Sequence, residues 1–280
     1  MPVRTVLVCL TTEANTPSLL SAAAAVARQG NAHVICLHTI EALEVYPGIA
    51  MHVTAPMAAQ FQAVQQEQAD AIKAMVDALA EREDFVVEWR LLKARSVSAA
   101  DRMLETAYGV DLVIMAQEAR GQDRPDQKGV QEAVIRNSGR PVLVIPQGYQ
   151  ADTIGHTLMI GWSPTPEAAR AAHDALALAQ SGAQAHILVA ASGAEPGAAT
   201  LDTAEEMAVG LERHGVTANL IPLALTGGSV AAALQDQAEQ NGADVIVTGG
   251  FGHSWLYDFV IGAVTHELLS KMRLPVLFSK

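Results

Sequence analysis

The chain has 280 residues, half of them hydrophobic but only 4% aromatic, and a formal net charge of −12. That balance excludes a nucleic-acid surface, which needs clustered Lys and Arg against phosphate, and no apolar run reaches the ~18 residues of a membrane-spanning helix. At ~100–200 residues per domain, the length fits two domains, each large enough for its own core.

Met1 leads into Thr5–Leu10 (TVLVCL), a β-branched apolar run that reads as a buried strand. No basic region with an apolar signal core precedes it, so a cytoplasmic protein is expected. Thr11, Thr12 and Asn15 offer turn and N-cap chemistry before an alanine-rich helix at 19–28, which Gly30 closes. A strand at 33–38 and a loop with Tyr46-Pro47-Gly48 lead to a helix at 56–82, polar on one face. Residues 85–92 alternate as a strand, 98–108 read as a helix and 111–116 as a strand. A polar loop, 118–128, then precedes the helix Val130–Asn137 and the strand Val142–Ile145. Cys9 and Cys36, the only cysteines, lie in strands and read as buried reduced thiols.

The same order then repeats. Strands are expected at Thr157–Gly161, 186–190, 217–223, 244–248 and 276–278, with helices at 166–180, 201–214, 230–241 and 262–272. GVDLVIMAQ at 109–117 returns as GADVIVTGG at 242–250, and GRPVLVIPQ at 139–147 returns as RLPVLFSK at 273–280. A repeat of half the chain means a duplicated domain, not a solenoid of ~20–50-residue units. The expected domains are 1–148 and 156–280, joined by the short stretch 148–155. Aligning Asp111 with Asp244 and Thr11 with Ser163 leaves about twenty extra residues in the first copy, placed near 45–61. Alternating strands and helices imply an α/β fold: two tandem, doubly wound, five-stranded parallel-sheet domains. Each half is expected to keep its own sheet, without one continuous sheet spanning both.

Ligands of such sheets bind at the carboxyl ends of the strands, at the switch in strand order. After the strand at 244–248, Gly249, Gly252 and Gly262 are spaced G-x2-G-x9-G. Glycines let backbone N–H groups approach an anion, and Gly262 reads as the start of a helix whose N-terminus favours negative charge. No Gly-Lys-Ser/Thr follows, so this is not a P-loop. Gly250-x-Gly252 lacks the third glycine of the dinucleotide fingerprint and follows the fourth strand instead of the first. A glycine-rich turn serving chain geometry alone is the alternative. His253 is placed either to meet a phosphate or to stand as an exposed loop residue. Trp255, Tyr257 and Phe259 either stack on a base or pack the loop on its own domain. With no H-x3-H pair and no HExxH helix, no metal ligands are assigned, and His38 and His186 read as structural. Residues 252–256 are not a G-x-S-x-G elbow, so no catalytic residue is assigned.

This spacing, after the fourth strand of an α/β unit that ends in Pro-Val-Leu, resembles that of the universal stress protein family. The likeness runs through most of both halves and is strongest in GADVIVTGGFGHS, GAVTHELL and LPVLFSK. WSPTPEAAR at 162–170 resembles the family's strand-one exit, and tandem members of the family exist. The resemblance implies a stress-associated binding protein without enzymatic activity, with ATP or another adenine nucleotide as its candidate cofactor. Nucleotide-binding members use an aspartate at the end of strand one and G-x2-G-x9-G-[ST] around the phosphates. Carried over, the glycines are Gly249, Gly252 and Gly262; the hydroxyl position is Ala263, and the aspartate position is Ser163, or Thr11 in the first half. The first-half loop keeps only Gly121 and Gly129, without the spacing. Any pocket is therefore expected in the second half, weakened or retuned. Two lost contacts, each ~1.5–3 kcal/mol, take a micromolar site to millimolar. Thr265 and Ser254 are substitute hydroxyls, each with a structural alternative. The rival readings are a nucleotide-hydrolysing enzyme, for which Asp258 is the one loop carboxylate, and a protein-interaction module with vestigial pockets. Family dimers form through the terminal strand, so the resemblance also implies that the two final strands pair across a pseudo-twofold axis. Homo-oligomers of the whole chain stay open, and from charge and hydropathy no nucleic-acid or membrane partner is expected.

Overall fold

The computed structural model describes residues 2–40, 54–93, 98–117, 129–193, 195–251 and 258–280. In the first half β1 (Thr5–Leu10), α1 (Thr16–Gly30), β2 (His33–Ile40), α2 (Ala55–Arg82), β3 (Val87–Lys93), α3 (Ala99–Ala107), β4 (Leu112–Ala116), α4 (Val130–Asn137) and β5 (Val142–Ile145) follow in turn. The second half repeats them as β6 (Thr157–Gly161), α5 (Pro166–Ala175), β7 (Gln184–Ser192), α6 (Ala198–Glu212), β8 (Thr217–Leu225), α7 (Val230–Gln240), β9 (Val245–Gly249), α8 (Asp258–Lys271) and β10 (Val276–Ser279).

Strand order is β3-β2-β1-β4-β5 in one half and β8-β7-β6-β9-β10 in the other, parallel within each. The expectation of separate sheets is corrected at the join. β5 and β10 pair antiparallel, Val142 opposite Phe278, Leu143 opposite Leu277 and Val144 opposite Val276, so the ten strands form one sheet. Both strands are four residues long and fully buried. Buried edge N–H and C=O groups need partners, and each strand supplies the other's. Leu143 and Leu277 are equivalent in the repeat, which puts a pseudo-twofold axis between them.

Side chains alternate across the sheet with period two. Val6, Val8 and Leu10 pack under α1 and α2, while Leu7 and Cys9 face α3 and α4. The first core continues under α5 and α6 and the second under α7 and α8, so neither stops at the boundary between halves. Cys9 and Cys36 are buried, and burial pushes both thiols up to about 12. Neither forms the reactive thiolate at neutral pH. A disulfide-exchange reagent is therefore expected to label no cysteine in the native protein and both once denaturant unfolds it. Rapid native labelling of either would mean that the core opens.

The repeated aspartates have a structural role. Asp111 accepts the amides of Arg4 and Thr5 at 2.9 and 3.0 Å; Asp244 accepts those of Gly155, His156 and Thr157 at 3.1, 2.9 and 3.4 Å. Each carboxylate satisfies the N–H groups that enter a central strand. The stretch between the halves is pinned as well. Ser21 Oγ bonds both the amide and the carbonyl of Ala151, Gln29 donates to the Ile154 carbonyl at 2.6 Å, and Ile154 is fully buried.

Several boundaries differ from expectation. Asn31, at φ 49°, is the left-handed cap of α1; Gly30 is glycine because a Cβ there would lie 2.6 Å from the Val3 carbonyl oxygen. The helix expected over 166–180 stops at Ala175, with turns carrying the chain to β7. The extra chain of the first half is partly helix, α2 having 28 residues against 15 in α6, and 41–53 lies outside the described residues. Finally, α8 starts at Asp258 and not at Gly262.

Candidate functional site at the strand exits

β6 and β9 lie side by side, and their carboxyl ends form the switch point of the second half. Leaving β6, Trp162 donates its indole N–H to Thr203 of α6 at 3.2 Å. Thr165 then caps α5, accepting the Ala168 amide at 3.3 Å and donating its own amide to the Ser163 carbonyl at 2.7 Å. The Ser163 hydroxyl is half-buried, 3.4 Å from Thr165 Oγ1. Ser163 thus belongs to a capping turn. Glu167, in the first turn of α5, already complements the positive end of that helix, the place an anion would occupy.

At the β9 exit the backbone presses against that same turn. A Cβ at Gly249 would sit 2.8 Å from the Ala168 amide nitrogen and from the Glu167 carbonyl carbon. Close backbone approach therefore requires glycine here whether or not a ligand is present. Gly250 donates to the Ser279 carbonyl at 2.8 Å, and a Cβ on it would meet Ile135 of α4 at 2.9 Å. Phe251 is buried at φ 48°. A bulky residue in the left-handed region costs about 1–3 kcal/mol and persists only where its surroundings fix it. Three contacts do so. Its amide donates to Thr265 Oγ1 at 3.4 Å, its ring meets His266 edge-on at 5.5 Å, and the Arg136 guanidinium stands over the ring at 3.7 Å.

Of the other expected site residues, Gly262 is the fifth residue of α8, so its N–H belongs to the helical ladder and not to the free amides of the first turn. Ala263 is exposed on the same helix. Gly252 and His253, with Ser254, Trp255 and Tyr257, lie outside the described residues, as do Gly121 and the rest of 118–128. Thr265 serves the Phe251 amide.

The first-half exit is filled by glutamine side chains. Gln68 of α2 donates to the Thr11 carbonyl at 3.4 Å, and Gln131 of α4, buried, donates to the Ala116 carbonyl. Gln117 reaches across to the Leu269 carbonyl of α8 at 3.1 Å. His38 donates through Nδ1 to the Leu10 carbonyl at 2.7 Å and stacks on Trp89. Gln68 was the residue sequence reasoning could have found: it sits in a glutamine-rich stretch of the helix that outgrows its counterpart. Among the described residues no three His, Cys, Asp or Glu side chains form a metal-binding group, and no helix is long and apolar enough to cross a membrane.

Two doubly wound units sharing one sheet, with their strand exits on each side of a pseudo-twofold seam, define a tandem α/β protein. The model of the universal stress protein family matches residues 2–146 and again 156–280, and the chain belongs to that family. Its fold is similar to that of a universal stress protein from Archaeoglobus fulgidus DSM 4304, at 17% identity over 98% of this chain and 96% of that one, with a TM-score of 0.71. It is also similar to a functionally unknown protein from Pseudomonas aeruginosa PAO1, at 15% identity over 99% and 92%, with a TM-score of 0.58. At such identities the likeness concerns the fold alone. No curated protein sequence matches the chain.

Proposed function

We propose that this chain is a stress-associated, cytoplasmic, non-enzymatic binding protein whose one pocket lies in the second half and takes an adenine nucleotide such as ATP, or a smaller anion, weakly. In this reading 1–148 and 156–280 are its two domains, and the β5–β10 pair is the interface that holds them together. The pocket joins Ser163, Gly249, Gly252, Gly262 and Ala263, the positions carried over from the family's motif, to His253, which follows Gly252 in the sequence. The observation that carries the reading is the asymmetry of the exits. Gln68, Gln131 and Gln117 occupy the first-half exit, whereas the equivalents of Gln117 and Gln131 in the second half are Gly250 and Thr265, which carry no side-chain amide. The capping turn at Ser163 and the carboxylate of Glu167 both work against a tightly held phosphate, which fits weak binding.

Calorimetry with ATP is expected to give a dissociation constant of roughly 0.1–1 mM, about −4 to −5.5 kcal/mol. Gly252→Val is expected to abolish it by placing a side chain where phosphate must approach, with circular dichroism confirming that the variant folds. Tight binding that survives this change would sink the pocket assignment. Hydrolysis is expected at background, because phosphoryl transfer to water needs an organised metal and a positioned nucleophile. Turnover above ~1 s⁻¹ that Asp258→Asn removes would establish the enzyme reading instead.

A further inference from the structure

The exits of the two halves are not independent. With Asp111 aligned on Asp244, Gln117 is equivalent to Gly250, and with Pro141 aligned on Pro275, Ile135 is equivalent to Leu269. Gln117 of the first half bonds Leu269 of the second. Reciprocally, Gly250 lies against Ile135, and Phe251 under Arg136, of the first half. Each strand exit is thus seated on the helix that follows the other half's exit. The two crossings differ in kind. At Gln117 it is a hydrogen bond from the side-chain amide to a backbone carbonyl. At Phe251 it is a buried aromatic ring at positive φ, clamped between Arg136 from one half and His266 and Thr265 from the other.

Arg136 is itself held in place. Its Nε donates to Glu132 Oε1 at 2.8 Å on the same helix, and its side chain is only one-third exposed. A guanidinium so fixed stacks flat on a ring in a way an ammonium does not reproduce. Because Phe251 holds a backbone conformation it would not adopt alone, its partners fix the turn made by Gly250 and Phe251. We propose that Arg136 is a positioning residue for the Gly250–Phe251 turn at the β9 exit, so that the second-half site is incomplete without the half whose own exit is filled. This rests on the second-half pocket described above.

The test uses the full chain as wild type, Arg136→Ala and Arg136→Lys. Two quantities are read: the hydrogen-exchange protection of the Gly250 and Phe251 amides relative to those of β1 and β2, and the affinity for ATP and for inorganic triphosphate. Arg136→Ala is expected to lower protection at Phe251 selectively and to weaken binding about 3- to 30-fold, the range a desolvated cation–π contact supplies. Arg136→Lys should recover part of both. Unchanged Phe251 exchange in Arg136→Ala overturns the proposal, and so does a loss of protection spread equally over β1 and β2, which marks an ordinary packing contact. If the wild type binds neither nucleotide nor triphosphate, the pocket reading fails, and selective exchange at Phe251 with recovery by lysine still decides whether Arg136 positions the turn.

Discussion

Asp244→Ala is expected to lower stability by about 3–5 kcal/mol, the loss of three charge-assisted bonds of ~1.5–3 kcal/mol each, discounted for one long contact and partial exposure. In a chain of this size that moves the unfolding midpoint down by roughly 6–20 °C. The carboxylate gathers the amides of Gly155, His156 and Thr157 where the chain enters the central strand of the second half. Without it those three donors, at the entry to a central strand, lose the acceptor they share. Asp244→Asn keeps a carbonyl oxygen and should fall between alanine and wild type. Asp111→Ala, which removes an acceptor from two amides only, should cost less. A thermal scan of the three variants checks the order, and Asp244→Ala within ~1 kcal/mol of wild type would show that water replaces the carboxylate there.

Phe278→Ala is the second large effect, about 3–5 kcal/mol as for other buried Phe truncations. The ring is fully buried in β10, opposite Val142 of β5, and its Cβ lies 3.6 Å from where a Cβ on Gly250 would be. Its removal opens a cavity at the seam and beneath the root of the glycine loop together. Phe278→Leu refills most of that volume and should recover more than half of the loss. Calorimetric unfolding checks this. An alanine variant with an unchanged midpoint would mean that the seam contributes little to holding the sheet.

What sequence reasoning reached was local or repeated. Val130–Asn137, Val142–Ile145 and Thr157–Gly161 fall where their apolar patterns place them, because a short run between turn residues has few other uses. The doubly wound order follows from the alternation of elements. The site was less legible because its residues answer to partners distant in the chain. Gly249 looks like part of a phosphate loop, yet the first turn of α5 already demands its glycine. Gly262 looks like a helix start, but α8 begins four residues earlier, at Asp258. Nothing near Phe251 in sequence announces Arg136, more than a hundred residues away. Gln68 lies on a helix with a polar face, and the fold brings it and Gln131 to carbonyls they can satisfy.

The seam between β5 and β10 has the geometry of an isologous contact, in which one residue meets a second and the equivalent of the second meets the equivalent of the first. In a dimer of identical chains every substitution at such a contact is made twice, and each copy inherits the other's compromise. Here the two sides mutate separately, and they have done so. Phe278 faces Val142, whereas Val144, its equivalent, faces Val276. One covalent bond between copies therefore removes the symmetry constraint while keeping the shape it produced. One exit can carry Gln117 and Gln131 while the other carries Gly250 and Thr265, a divergence that two identical chains, each bearing both versions of every change, could never encode.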